Sequence, residues 1–263
     1  VNRLSKCVLS ALLFAGTAQA APLPSTNATT TYHRVQVDGV GIFYREAGPE
    51  NAPTIVLLHG FPSSSREFDT LIPLLATKYH LIAPDYPGFG LSDAPSPTAY
   101  TYTFDHLAQT VSDLLEKLKV THYTMYLHDY GAPIGFRVML THPDQLHALI
   151  IQNGNIYKVG LGAKWTEIAE YWADPNAHPE VLNAFLSFKA TKEWHVAGTS
   201  HPDRYDPDIV GVALLGTLIG GSPTAAGASR ASVAAAIALA GASALAVWIA
   251  RRRRASATVT ARI

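Results

Sequence analysis

From residue 32 onward the apolar positions alternate between two rhythms. Thr54–Leu58 (TIVLL) is a continuous apolar run too short for a helix, as expected of a strand buried on both faces. His80–Ala83, Tyr123–Leu127 and Leu146–Gln152 are predicted as the strands that follow. Between them Phe68, Leu71, Ile72, Leu74 and Leu75 recur at helical spacing, and Leu107, Val111, Leu114, Leu115 and Leu118 mark an amphipathic helix over Phe104–Leu118. A third helix is predicted through about Leu140, with Pro133 in its first turn, where a missing N–H costs nothing. Upstream, His33–Val37 and Gly41–Glu46 are joined by Asp38-Gly39, a hairpin signal. Strands alternating with helices predict an α/β fold with a mostly parallel sheet covered on both faces. Beyond it, Trp165–Trp172 and Pro179 to about Trp194 are aromatic-rich helical stretches separated by the turn Ala173-Asp174-Pro175-Asn176.

The two ends depart from this rhythm. Arg3 and Lys6, the apolar run Val8–Ala15 and the small residues Ala18-Gln19-Ala20 predict a signal peptide over residues 1–20, hence an exported, periplasmic or extracellular protein. Residues 21–31 read as a flexible leader. The single cysteine, Cys7, lies in the predicted signal peptide, so disulfides, zinc-thiolate sites and a cysteine nucleophile are excluded from the remainder. The chain holds 20 basic and 20 acidic residues, but every acid lies at or before Asp208. Up to that residue the net charge is −6, and the 55 residues after it carry +6 from six arginines. A mildly acidic body gives no electrostatic footing for nucleic acid.

The candidate chemistry sits where the strand Tyr123–Leu127 runs into His128-Asp129-Tyr130-Gly131-Ala132-Pro133. A residue on such a strand-to-helix turn projects above the sheet, and the N–H that follows it faces any developing anion. No strand-following G-x-S-x-G is present; Ser92, in Gly90-Leu91-Ser92-Asp93-Ala94, lacks the closing glycine and follows a loop. A carboxylate is a poor nucleophile toward amides, but it can displace a leaving group at a saturated carbon and become an alkyl ester. Asp129 therefore points to an epoxide or an alkyl halide, the alternative being that it merely caps the next helix.

His59-Gly60-Phe61-Pro62, Asp85 through Ser92, and His128-Asp129-Tyr130-Gly131-Ala132 together resemble the epoxide hydrolase and haloalkane dehalogenase branch of the α/β-hydrolase superfamily, over about residues 32–208. The resemblance implies a core over 32–152 and a helical cap over 153–208, with Asp129 as nucleophile. It further implies that the backbone N–H groups of Phe61 and Tyr130 form an oxyanion hole. Dehalogenases of this branch hold halide with side-chain N–H donors where this chain has Phe61 and Tyr130, and phenylalanine offers none. HGFP and HDxGA look more like epoxide hydrolases, although fluoroacetate dehalogenases share a similar pattern. Cap tyrosines protonate the epoxide oxygen in such enzymes; Tyr157, Tyr171 and Tyr205 are the candidates here, each equally readable as an aromatic filling the lid. His128, adjacent to Asp129, is expected to point away from it. The implied partner is a small apolar substrate, with no metal, no cofactor and no nucleic acid.

The resemblance also calls for a late acid and a histidine to hydrolyse the ester, yet the last histidine is His201 and the last acid Asp208. The tail over 209–263 has 17 alanines and no β-rich pattern for the late strands. Two explanations stand: out-of-frame or rearranged coding, or a membrane helix over 231–250 followed by Arg251–Arg254. The expectations are thus an impaired epoxide-hydrolase-like enzyme, a dehalogenase with a recruited histidine, or a non-catalytic membrane-tethered remnant.

Overall fold

A computed structural model describes residues 29–157, 160, 162, 165–174, 180–181 and 187–204. The predicted signal peptide, most of the leader, Tyr205 and the tail with its candidate membrane span lie outside the described residues. Among those described, no helix is long and apolar enough to cross a membrane.

Six strands form one sheet in the order β1-β2-β4-β3-β5-β6. They are β1 (Thr31–Val37), β2 (Val40–Ala47), β3 (Thr54–Leu58), β4 (His80–Pro84), β5 (Tyr123–His128) and β6 (Leu146–Gln152). β1 and β2 form the hairpin expected from Asp38-Gly39, and β2 pairs antiparallel with β4. The pairs β3·β4, β3·β5 and β5·β6 are parallel, so the sheet is mostly parallel as expected, with the antiparallel hairpin at one edge.

The helices cover both faces. Val56 and Leu58 of β3 face a cluster built with Leu107, Val111, Leu114 and Leu115 of α2 (Phe104–Lys117) and Ile134 and Val138 of α3 (Gly131–Thr141). Ile55 and Leu57 face the other way, onto Phe68 and Ile72. Such two-sided burial is why β3 reads as an unbroken apolar run. The helix expected across Phe68–Leu75 is instead a 3-10 turn, Ser65–Phe68, followed by the short helix α1, Leu71–Leu75. Ser64 caps the turn by accepting from the Arg66 N–H, and buried Arg45 grips it, donating to Asp69 Oδ1 (2.8 Å) and Ser65 Oγ (3.0 Å). Those contacts fix a separate turn where periodicity alone suggests continuity. After β6 come α4 (Trp165–Ala173) and α5 (Phe188–Val196); of the stretch predicted from Pro179, Glu180 and Val181 are also helical, and residues 182–186 lie outside the described residues.

The strand order places the site. The chain leaving β3 returns on one side as β4, and the chain leaving β5 returns on the other as β6, so a crevice opens between the carboxyl ends of β3 and β5. His59–Pro62 follow β3, and Asp129 follows β5.

Candidate active site

Asp129 has φ +48°, in the left-handed region, between an extended strand and the first turn of α3. For a non-glycine residue this conformation costs of the order of 1–2 kcal/mol, sustained only where surrounding packing imposes it. The packing is visible in the neighbouring glycines. A Cβ on Gly131 would collide with the Leu58 carbonyl oxygen, and one on Gly60 would lie 2.6 Å from the Asp129 Cβ. Gly131→Ala is therefore expected to destabilise the fold by about 1–3 kcal/mol through overpacking, read as a lower denaturant midpoint with an unchanged slope.

The elbow and the β3 turn meet at the Asp129 carboxylate. The Phe61 N–H donates to Oδ1 at 2.8 Å, and the adjoining Tyr130 N–H likewise favours the charged carboxylate. The two backbone donors singled out from the sequence thus converge on one group. Their side chains form an apolar wall: Phe61 stacks on Tyr130 at 5.4 Å, and Phe89 and Phe104 approach edge-on. Tyr130 is buried within this wall, in keeping with a packing residue at the site floor.

Although Asp129 keeps some exposure, the protein packed around its carboxyl pushes its pKa above the ordinary value, and the Phe61 and Tyr130 N–H groups partly offset that. Ionisation therefore opposes folding: the cost begins above the ordinary carboxylate pKa and is complete once pH exceeds the folded value. Asn also tolerates left-handed backbone, so Asp129→Asn should raise the melting temperature at pH 7. The gain should vanish near about pH 3, where Asp129 is protonated in both states. Each kcal/mol recovered corresponds to about 2–4 °C for a domain of this size, measurable by calorimetry at the two pH values.

His59 is fully buried, with Nδ1 2.9 Å from the Gly60 carbonyl and its ring stacked on Tyr86 at 4.2 Å. Burial lowers its pKa, which favours the neutral ring. Tyr86 donates its hydroxyl to the His59 carbonyl at 3.0 Å. Pro62 is buried after a cis Phe61-Pro62 bond. His128 turns its Nδ1 to Glu67 Oε1 at 3.0 Å. Ser92 is buried and structural: its hydroxyl donates to the Asp85 carbonyl (2.7 Å) and accepts from the Phe43 N–H (2.8 Å). Tyr171 is buried on α4 and burial raises its pKa, whereas Tyr157 is exposed.

Sequence reasoning missed Glu67. It lies in the 3-10 turn, and neither spacing nor composition connects it to residue 128, 61 positions away. Only the folded contact reveals it. Among the described residues no cluster of histidine, cysteine and acidic side chains suits a metal ion.

With this fold and elbow in place, residues 53–192 match the family described as the alpha/beta hydrolase fold, and the chain belongs to that family. An uncharacterised hydrolase of Saccharomyces cerevisiae is 42% identical over 165 residues, covering 62% of this chain and 56% of its own length. A haloalkane dehalogenase of Mycobacterium marinum is 40% identical over 112 residues, covering 42% of this chain and 37% of its own. The chain thus spans about half the length, or less, of these curated relatives. The solved epoxide hydrolase CorEH shares the fold at 21% identity with a TM-score of 0.62, covering 83% of this chain and 75% of its own.

Proposed function

We propose that Asp129 is the nucleophile of an epoxide-hydrolase-like reaction on a small apolar substrate. One Asp129 oxygen bonds to a ring carbon of the epoxide, the ring C–O bond breaks, and the released oxygen takes a proton from an acidic group of the lid, Tyr171 being the buried candidate. The observation that carries this reading is a carboxylate, rather than a hydroxyl, on a left-handed elbow with the Phe61 and Tyr130 N–H groups on it. Those donors would stabilise the oxyanion formed when water later attacks the ester carbonyl. The aromatic wall of Phe61, Tyr130, Phe89 and Phe104 suits an apolar substrate.

Hydrolysis of that ester needs a base, and the two histidines nearest in sequence to the site residues point elsewhere, His59 to the Gly60 carbonyl and His128 to Glu67. We therefore propose that the 263-residue chain forms the ester without efficient turnover. Incubation with styrene oxide followed by intact-mass analysis should show one stable adduct per chain; diol in many-fold excess over enzyme would contradict this proposal. The dehalogenase relatives support a second reading, an alkyl halide as electrophile, which halide release in excess over the one-equivalent limit would favour.

A further inference from the structure

Glu67 touches the two strand-end segments that build the site. Its Oε1 lies 3.0 Å from Nδ1 of His128, and its Oε2 accepts from the Gly60 N–H at 3.4 Å. Gly60 directly precedes Phe61, whose N–H holds Asp129, and His128 directly precedes Asp129. A closed ring results, running from Glu67 through Gly60, Phe61, Asp129 and His128 back to Glu67. Each contact thereby constrains the others, as in a small polar network where losing one member loosens the rest. Both side chains are largely enclosed, with 16% exposure for Glu67 and 31% for His128, so solvent screens the pair only in part.

We propose, resting on the Asp129 reading, that Glu67 is a positioning residue that clasps the β3 turn to the elbow through His128, and that the proton on His128 sets how firmly the Phe61 amide is held on Asp129. Two carboxylates act on His128, Glu67 from the 3-10 turn and Asp129 beside it on the elbow, and the buried, neutral-favouring His59 at the end of β3 is the third titratable group nearby. The hydrogen bond to Glu67 raises the His128 pKa, with the Glu67 and Asp129 charges adding to the rise. The ion pair is thus fully present below the ordinary histidine pKa and is lost as pH rises through the raised one. Above that point a neutral imidazole gives Glu67 a weaker bond, and the Phe61 N–H loosens from Asp129.

Amide and imidazole NMR spectra of the full chain between about pH 5 and about pH 9 test the clasp without any substrate. In the wild type the Phe61 amide shift should step with the same midpoint as the His128 ring. Glu67→Gln, similar in shape but uncharged, should abolish the Phe61 step and lower the His128 midpoint. His128→Gln, which keeps an N–H donor but no charge, should abolish the step and leave the Phe61 amide close to its high-pH position. In Glu67→Gln the rate of adduct formation with styrene oxide should fall by between about 10-fold and about 100-fold. A wild-type Phe61 amide that does not follow His128, or a step that persists unchanged in a normally melting Glu67→Gln protein, overturns the clasp. A Glu67-dependent step in a protein that never alkylates Asp129 upholds the clasp and refutes the nucleophile reading.

Discussion

Asp129→Ala is expected to abolish covalent capture of an epoxide, lowering the rate of adduct formation by about 10⁴-fold or more, as removal of a nucleophile does in enzymes acting through covalent intermediates. The expectation follows from position. Asp129 alone occupies the left-handed turn between β5 and α3, where the Phe61 and Tyr130 N–H groups converge on its carboxylate. The other acids beside the site are engaged differently. Glu67 pairs with His128, and Asp85 is fully enclosed by backbone donors. Substitution at Asp129 should therefore not be compensated by either. Wild type and variant incubated with styrene oxide and followed by intact mass give the comparison; an adduct at the wild-type rate in Asp129→Ala would place the reaction elsewhere.

The largest expected loss of stability comes from Asp85→Ala. Asp85 retains 1% of its exposure, and its carboxylate accepts from the Ser65 N–H at 2.7 Å and the Leu91 N–H at 2.8 Å. Gly90, at φ +52°, permits this wrap, because a Cβ there would overlap the Asp85 carboxyl. Removing the carboxylate strands two N–H groups and unties the 3-10 turn from the loop after β4. At about 1–3 kcal/mol for each stranded donor, the loss should total about 2–6 kcal/mol. Urea denaturation should show a lower midpoint, and the same turn carries Glu67, so the site should weaken with it. A midpoint within experimental scatter of the wild type would mean that Asp85 contributes little to the fold.

How far the sequence reveals the site depends on whether the signal is local. The elbow was legible because an apolar run, a polar pair and Gly131 are consecutive, and the need for glycine arises from the Leu58 carbonyl packed against it. The oxyanion-type segment was legible for the same reason, as His59-Gly60-Phe61-Pro62 ends an apolar strand. The hairpin was readable from Asp38-Gly39, but the antiparallel pairing of β2 with β4 was not, because strand partners are chosen by the whole sheet. The split between the 3-10 turn and α1 depends on Arg45, which reaches across from β2. Glu67 was invisible because its role exists only once residue 67 meets residues 60 and 128 in space. The roles of Tyr157 and Tyr171 were open in the sequence, since an aromatic in a lid has the same signature whether it packs or donates a proton. Their burial separates them, with Tyr171 enclosed and Tyr157 exposed.

The most direct measurement is to locate the bond itself. Chain treated with styrene oxide, digested and sequenced by tandem mass spectrometry should carry one added epoxide mass, on the side chain of Asp129, in a linkage that hydroxylamine cleaves as an ester. A modification on any other residue, or none after prolonged exposure of a folded protein, would contradict the assignment of Asp129 as nucleophile.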